Sequence, residues 1–547
     1  MIRYHDLDKT ESFMKLLSLA PRGKNFDFSS KLTGDRVRSC LVPMASGLSY
    51  SWAAKPVDDA VLDTLQELSD EQQSIPKYST LLDGETMNTG EQRKVLHHLL
   101  RGRLGKPVVF EGKDLGAFYA GELKRFGDFA DKVHAGKILG DTGKPFGAVV
   151  QIGIGGSDLG PRALYLALDN CAGGKNAGGK NAGGGRSGGG VDGGGTRKRM
   201  KAAFISNVDP DDAAQVLSGL ALDTTMFILV SKSGTTQETL ANELFVKARL
   251  RGAGLNPAKH MVAVTSETSP LAHNPDYLDS FYIDDFIGGR YSSASAVGGV
   301  VLSLAFGKET FLELLAGAHA ADRSALEPDI RKNPALLDAL IGLWERNALG
   351  YPSTAVLPYS QGLSRFPAHL QQLDMESNGK RVNRRGEAIS YSTGPVVFGE
   401  PGTNGQHSFY QLLHQGSDIV PLQFVGFLRS QRGEDVEVDG SVSQTKLNAN
   451  LIAQIVAFAK GSANADLNKN FPGSRPSSLI YGDSLTPAAL GTLLAHFENK
   501  VMFQGFLWNL NSFDQEGVQL GKVLAKKVLA RSSGDSALEA YSSLFGL

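Results

Sequence analysis

The chain has 547 residues, with 56 lysines and arginines against 57 aspartates and glutamates for a formal net charge of −1. That length sustains two or more domains with their own cores, and the balanced charge gives no electrostatic basis for a nucleic-acid partner. Only two cysteines are present (Cys40 and Cys171), the N-terminal stretch is polar, and no run reaches the ~20 apolar residues of a membrane span, so a cytoplasmic protein without a disulfide framework or a membrane partner is expected.

Residues 1 to about 115 show helical periodicity broken by polar turns, as in VLDTLQEL from Val61 and VLHHLLRGRL from Val95. This predicts a helical layer that packs on another domain and carries no chemistry. From Phe146 the pattern changes to short apolar, β-rich runs separated by helical ones: FGAVVQIG, AAFISNV, MFILV, MVAVTS and SFYIDD. Strands that alternate with helices and show little polar alternation predict a parallel sheet covered on both faces. Between the first and second of these strands, 13 of the 23 residues from Gly173 to Gly195 are glycine. Glycine at that density cannot offset its ordering entropy, so a flexible insertion is expected. Within it, Gly174 to Asn181 approaches a nucleotide P-loop, but the final Ser or Thr is missing and no strand precedes it. After a helical stretch near 305–350 a second α/β region is predicted, with strands STAVLPYS, PVVFG, IVPLQFVGF and SSLIYG, and a helical arm follows from about Ser512.

Ligands of such sheets bind at the carboxyl ends of strands. The run MFILV is followed by Ser231-Lys232-Ser233-Gly234-Thr235-Thr236 and then by LANELFVKARL, where Leu240, Leu244 and Ala248 recur at helical spacing. A hydroxyl-rich loop with one lysine, leading into a helix N-terminus, is a phosphate site by construction. Thr235 and Glu238 also fit a capping box. The loop Gly153-Ile154-Gly155-Gly156-Ser157-Asp158-Leu159-Gly160 falls at another strand end. Asp158 stands where a dinucleotide fingerprint needs its third glycine, so NAD is not expected, and Ser157 is a candidate sugar or phosphate contact.

Four further stretches carry candidate chemistry. In Phe366–Glu376, Phe366, Leu370 and Leu373 mark one helical face, while Gln372 and Glu376, four apart, share another before Asn378-Gly379 ends the helix. His407 follows a glycine turn at the start of a helix whose core face is Phe409, Leu412 and Leu413. In the C-terminal arm Leu520, Val523, Leu524 and Val528 form a core stripe, while Gln515 and Lys522 share a stripe pointing elsewhere. Arg290 follows Gly288-Gly289. Taken singly, Glu376, Lys522 and Arg290 also fit solvated surface charges, and His407 a structural histidine.

Taken together, GIGGSDLGP, SKSGTTQET, GGRYSSASA, LQQLDMESNGK, GTNGQHSFYQLLHQG and NSFDQEGVQLGK, in this order and over about residues 147–527, resemble the glucose-6-phosphate isomerase family. The resemblance implies an α/β fold with two sugar-isomerase-type (SIS) domains, parallel or mixed sheets flanked by helices, an N-terminal helical part and a C-terminal helical arm. The corresponding divisions are 1–115, 116–300 with an insertion at 172–199, 301–505, and 506–547. The resemblance also implies an aldose–ketose isomerase. Ser231, Lys232, Ser233 and Thr236 would hold the phosphate, with Gly156 and Ser157 near the sugar and Gln372 and Gln515 as substrate contacts. His407 would assist ring opening with Lys522 beside the ring oxygen. Glu376 would carry the proton between C2 and C1, Arg290 would stabilise the enediolate, and Glu238 would orient the histidine. That histidine would come from the neighbouring subunit of a homodimer. Such a reaction needs neither redox nor hydrolysis, so no cofactor and no metal are expected. Ser293-Ala294 departs from a bulky pair common in the family, and a close alternative adds mannose 6-phosphate as a substrate through a pocket reshaped there. A non-catalytic phosphosugar sensor is the alternative of another class, and the joint presence of Glu376, His407 and Lys522 weighs against it.

Overall fold

The structure is a computed structural model describing residues 2–169, 171, 199–532 and 534–547. The glycine-rich insertion and its P-loop-like run lie outside the described residues, apart from Arg199 at the insertion's end, which is exposed.

The N-terminal segment is mainly helical, including α1 (Asp59–Glu71), which contains the VLDTLQEL run. It also holds short strands where only helices were expected, among them β1 (Leu41–Pro43) and β2 (Ser49–Ser51). Three residues are too few to display an alternating pattern; what commits them is Tyr50, fully buried with its hydroxyl donating to Asp338 at 3.1 Å. The VLHHLLRGRL run is likewise not an α-helix. It forms only a 3-10 turn, His97–Leu100, with both histidines buried. The long helix α2 (Leu115–His134) follows.

The five predicted strands of the first α/β region form as β3 (Ala148–Ile152), β4 (Lys201–Ile205), β5 (Thr225–Val230), β6 (Met261–Thr265) and β7 (Ser280–Tyr282). They make one all-parallel sheet of order β7-β6-β5-β3-β4, with Ile152 opposite Leu229 and Val230 opposite Val264. Every residue of β5 and β6 is buried, which is why these runs carry no polar alternation. Helix α3 (Leu159–Asp169) follows the β3 loop and α4 (Gln237–Gly252) follows the β5 loop. In α4 the expected apolar stripe points outward, with Leu244 64% exposed and Ala248 exposed. Its buried face is Thr239, Asn242, Glu243, Val246, Lys247 and Leu250. Lys247 can face inward because it pairs with Glu243 at 2.8 Å and Asp276 at 3.0 Å, while Glu243 also accepts from the Tyr277 hydroxyl at 2.5 Å.

The second region supplies α5 (Ala296–Phe306), α6 (Lys308–Ser324), β8 (Ser353–Tyr359), β9 (Val396–Phe398), β10 (Leu422–Phe427), β11 (Ser477–Gly482) and α7 (Pro487–Leu507). Its sheet is mixed, in the order β1-β2-β11-β10-β8-β9. The four later strands are parallel, while β2 runs antiparallel to β11 with Ser51 opposite Leu479. Every residue of α7 except Ala488 is buried. A helix enclosed on all sides can carry charge only where that charge is paired. Glu498 meets the buried Arg101, which also binds Asp322 at 3.2 Å, and Lys500 sits 3.1 Å from Asp338. No helix among the described residues is long and apolar enough to cross a membrane.

Helices α6 and α7 approach so closely that side chains are excluded where they cross. A Cβ on Gly317 would lie 1.9 Å from the Ala488 carbonyl oxygen, and one on Gly491 would lie 1.8 Å from that of Leu314. Replacing Gly491 by alanine must therefore move the helices apart. The expected cost is about 1–3 kcal/mol, read as a lower urea midpoint for the variant; an unchanged midpoint would show that the pair yields freely.

Candidate active site

Strands β3 and β5 are neighbours, so the loops leaving their carboxyl ends lie side by side, and the β7 loop joins them. The β5 loop is a compact hydroxyl turn. Ser231, almost fully buried, donates to Thr236 Oγ1 at 3.3 Å and accepts the Gly234 N–H at 3.1 Å. Ser233, at the surface, accepts from both the N–H and the hydroxyl of Thr235. Thr235 therefore serves the loop and does not cap the helix. The N-cap of α4 is Thr236, and its side chain makes no capping bond either, so among the described residues no side chain caps the first-turn N–H groups of α4. Lys232 reaches back to the Ile287 carbonyl at 3.3 Å and sits 3.7 Å from Asp285. Burial pulls its ammonium below the ordinary lysine range, partly opposed by Asp285.

The β3 loop is pressed against its neighbours. Gly155 has φ +61°, and a Cβ there would stand 3.3 Å from the Gln372 amide nitrogen. At Gly156 a Cβ would fall 2.2 Å from the Gly289 carbonyl oxygen and 2.9 Å from the Arg290 nitrogen. The two glycines thus let the β3 loop touch both the segment bearing Arg290 and the one bearing Gln372. Ser157 is half-buried at the loop's end, its carbonyl accepting from Gln151 at 2.7 Å.

Gln372–Glu376 is a π-helical turn that continues the short helix Phe366–Gln371. The wider i→i+5 winding brings residues four apart nearly into line, and Gln372 Nε2 donates to Glu376 Oε2 at 2.9 Å. The other oxygen, Oε1, faces Arg290 Nη1 at 3.4 Å, where the arginine side chain is 2% exposed and the glutamate 22%. Arg290 is a buried cation, not a surface charge. Its Nε donates to Ser377 Oγ at 2.6 Å, and its Nη2 donates to the carbonyls of Ser512 at 2.6 Å and Asp514 at 2.9 Å. The Lys380 ammonium binds the Asp514 carboxylate and the Asn511 carbonyl, tying the glutamate-bearing segment to the chain that approaches Gln515.

Lys232, Asp285, Arg290, Tyr291 and Gln515 line one cleft of about 90 Å³, and Asn88, Glu91 and Arg93 form part of its wall. The N-terminal segment, expected to be free of chemistry, therefore takes part in the site. Its contribution comes from a short hairpin, Thr86–Asn88 with Arg93–Lys94, that no periodicity marks. Ser377, Tyr291, Lys380 and Asp514 were also not singled out from sequence. All four lie inside or beside recognised motifs, but only burial reveals their use.

The structure does not bring every expected residue to this cleft. His407 is exposed in the 3-10 turn Asn404–His407, and its side chain has no hydrogen-bond partner among the described residues. The helix after it buries Tyr410 and Leu413, while Leu412 of the expected core face is 54% exposed. Glu238 is half-buried in the first turn of α4. Lys522 lies on α8 (Gln519–Leu529), no residue of which is buried. Of the expected core stripe of this helix, Leu520 is 69% and Val523 52% exposed, while Leu524 and Val528 are half-buried. Ser293 and Ala294, expected to reshape the pocket, are instead buried in the interior, with Ser293 Oγ only 2.0 Å from where a Cβ on Gly160 would sit.

The sequence model of the phosphoglucose isomerase family matches residues 51–545. The chain is similar to the glucose-6-phosphate isomerase of Treponema denticola, at 59% identity over 546 residues and 99% of each chain. It is also similar to that of Borreliella burgdorferi, at 46% identity over 547 residues and 99% of each. Among solved structures, a glucose-6-phosphate isomerase from Chlamydia trachomatis superposes with a TM-score of 0.89 at 42% identity, again over 99% of both chains. A match of this length means that the chain belongs to the phosphoglucose isomerase family.

Proposed function

We propose that this chain interconverts glucose 6-phosphate and fructose 6-phosphate in the cytoplasm, the aldose–ketose step shared by glycolysis and gluconeogenesis. The observation that carries the reading is the Glu376 carboxylate, fixed between the Gln372 amide and the buried Arg290 guanidinium in a site whose cleft also holds Lys232. The glucose-6-phosphate isomerases it resembles support the same reaction.

The chemistry follows from that arrangement. The phosphate is held by Lys232 with the hydroxyls of Ser231, Ser233 and Thr236 and the first-turn N–H groups of α4. Gly156, Ser157, Gln372 and Gln515 surround the sugar, which fixes the acyclic chain with C1 and C2 at Glu376. From the ketose, the carboxylate takes the C1 proton, the C1–C2 double bond forms, and the C2 carbonyl oxygen takes the charge. Arg290 Nη1 is the donor that meets this oxyanion. Return of the proton to C2, with transfer of the O1 proton to O2, leaves the aldehyde at C1. His407 and Lys522 handle opening of the ring, with Glu238 orienting the histidine. A sensor of phosphosugars would have no use for a carboxylate set against a buried guanidinium, since burying those charges costs free energy.

We further read 116–300 and 301–505 as two phosphosugar-isomerase-type domains and the active protein as a homodimer whose partner supplies His407. The exposure of His407 and of the apolar residues on α8 supports this reading.

Three experiments test it. Glu376→Gln should lower kcat for fructose 6-phosphate by about a hundredfold to ten-thousandfold and leave phosphosugar binding near the parental value; parental turnover would remove Glu376 as the base. Protonated Lys232 is the form that pairs with phosphate, and burial lowers its proton affinity. Its contribution is therefore complete at low pH and lost as pH rises through that lowered value. In a pH profile of kcat/KM this gives an alkaline fall below the ordinary lysine range, which Lys232→Arg abolishes because arginine stays protonated; an unchanged alkaline limb in that variant would exclude Lys232. Finally, Glu376→Gln and His407→Ala, each inactive alone, should regain about a quarter of parental activity when dissociated and reassociated together, because each mixed dimer rebuilds one of its two sites. No recovery would rule out a shared site.

A further inference from the structure

We infer that Ser377 and Tyr291 are positioning residues for Arg290, a buried hydroxyl pair that fixes which face of the guanidinium meets the reacting oxygen without cancelling its charge. The inference rests on the reading of Arg290 and Glu376 given above and extends it to two buried hydroxyls that act through the guanidinium.

A guanidinium has five N–H donors in a rigid fork. In Arg290 three are taken: Nε–H by Ser377 Oγ, and the two Nη2 hydrogens by the Ser512 and Asp514 carbonyls. Only the two Nη1 hydrogens remain, on the nitrogen that faces Glu376 Oε1 at 3.4 Å. The three anchors are one hydroxyl and two carbonyls, all neutral. A carboxylate at the Nε position would make a stronger bond, but it would offset the positive charge needed by an enediolate. Ser377 supplies the same geometry and leaves that charge uncompensated from behind.

The hydroxyl is itself held. Ser377 is fully buried, and its Oγ lies 3.1 Å from Tyr291 Oη. The Tyr291 ring is stacked on the buried His97 ring with centroids 4.6 Å apart. Ser377 also directly follows Glu376, and Tyr291 directly follows Arg290. The Ser377–Tyr291 contact therefore joins the residue after the base to the residue after the cation. It sets their separation with two short side chains that have little freedom to stray.

The test uses the full-length protein and two probes. Glucitol 6-phosphate is a neutral polyol phosphate, whereas arabinonate 5-phosphate places a carboxylate charge where an enediolate would carry it. In Ser377→Ala, kcat is expected to fall about tenfold with KM within about twofold. Affinity for the arabinonate should fall about tenfold while that for the glucitol stays parental, the size expected for one hydrogen bond to a charged group. Tyr291→Phe keeps the ring and its stack, and should shift both quantities the same way by about threefold. It carries the test alone if Ser377→Ala does not fold. Parental kcat and a parental ratio of the two affinities in these variants, alongside an altered ratio in Arg290→Lys, would overturn the inference and leave the function intact. A parental ratio and parental turnover in Arg290→Lys itself would instead overturn the assignment of Arg290, and the inference with it.

Discussion

A guanidinium taken out of water costs several kcal/mol unless its donors are satisfied, and the site is arranged around meeting that demand at Arg290. The residue belongs to the segment that leaves the first sheet after β7. Its acceptors come from the turn that follows β8 of the second sheet and from the chain just beyond α7. None of these three segments can place the charge alone. The close approach of the β3 loop, with Gly156 against the Gly289 carbonyl, adds a fourth constraint on the same backbone. The position of the reacting cation is therefore a property of how both sheets and the chain beyond α7 come together, and the cleft exists only where they do.

The same logic extends below the site. Behind the glutamate-bearing turn lies a small cavity of about 40 Å³ whose lining includes Lys55, Asp338, Glu345, Asp374 and Lys500. Lys55 pairs with Glu345 at 2.8 Å, and Asp338 accepts from Lys500, His496, Gln423 and Tyr50. Asp374, inside the π-helical turn itself, is pushed up to about 6 by burial. Removing one member of a paired set leaves the other charge stranded, at about 3–5 kcal/mol. The interior is thus held to one arrangement of charges, and the turn that carries Glu376 and Ser377 is built on it.

How much of this could be read from the sequence depended on burial. Strands such as Thr225–Val230 and Met261–Thr265 were legible because a strand covered on both faces is an uninterrupted apolar run. The pairing of Gln372 with Glu376 was legible from a spacing of four. Elsewhere an apolar pattern misled. In α4 the stripe of Leu240, Leu244 and Ala248 marks the outer face, because a Glu243–Lys247–Asp276 set satisfies itself inside. On α8 an amphipathic helix was read correctly as a helix, but Leu520 and Val523 of its apolar stripe stay exposed among the described residues. Near Val95 the leucines suggested helical periodicity, whereas His97, His98 and Arg101 are buried in a compact turn. Nothing in the spacing of Arg290, Ser377, Ser512 and Asp514 announces that they meet, since hydrogen bonds to neutral hydroxyls and carbonyls leave no charge pattern to find.

The antiparallel pair β1–β2 extends the second sheet beyond β11, with β2 bonded to β11, so strands from early in the chain are partnered by one from far downstream. A growing polypeptide reaches β11 only long after β2 has been made. At about 5–20 residues per second, β2 waits on the order of tens of seconds for its neighbour. During that interval Tyr50, which ends fully buried, lacks the strand that encloses it, whereas β3 to β7 already have every partner they need. The first sheet can therefore be complete while the second is still open at its edge, and the wall that the N-terminal segment lends to the cleft is among the last parts of the molecule to be set.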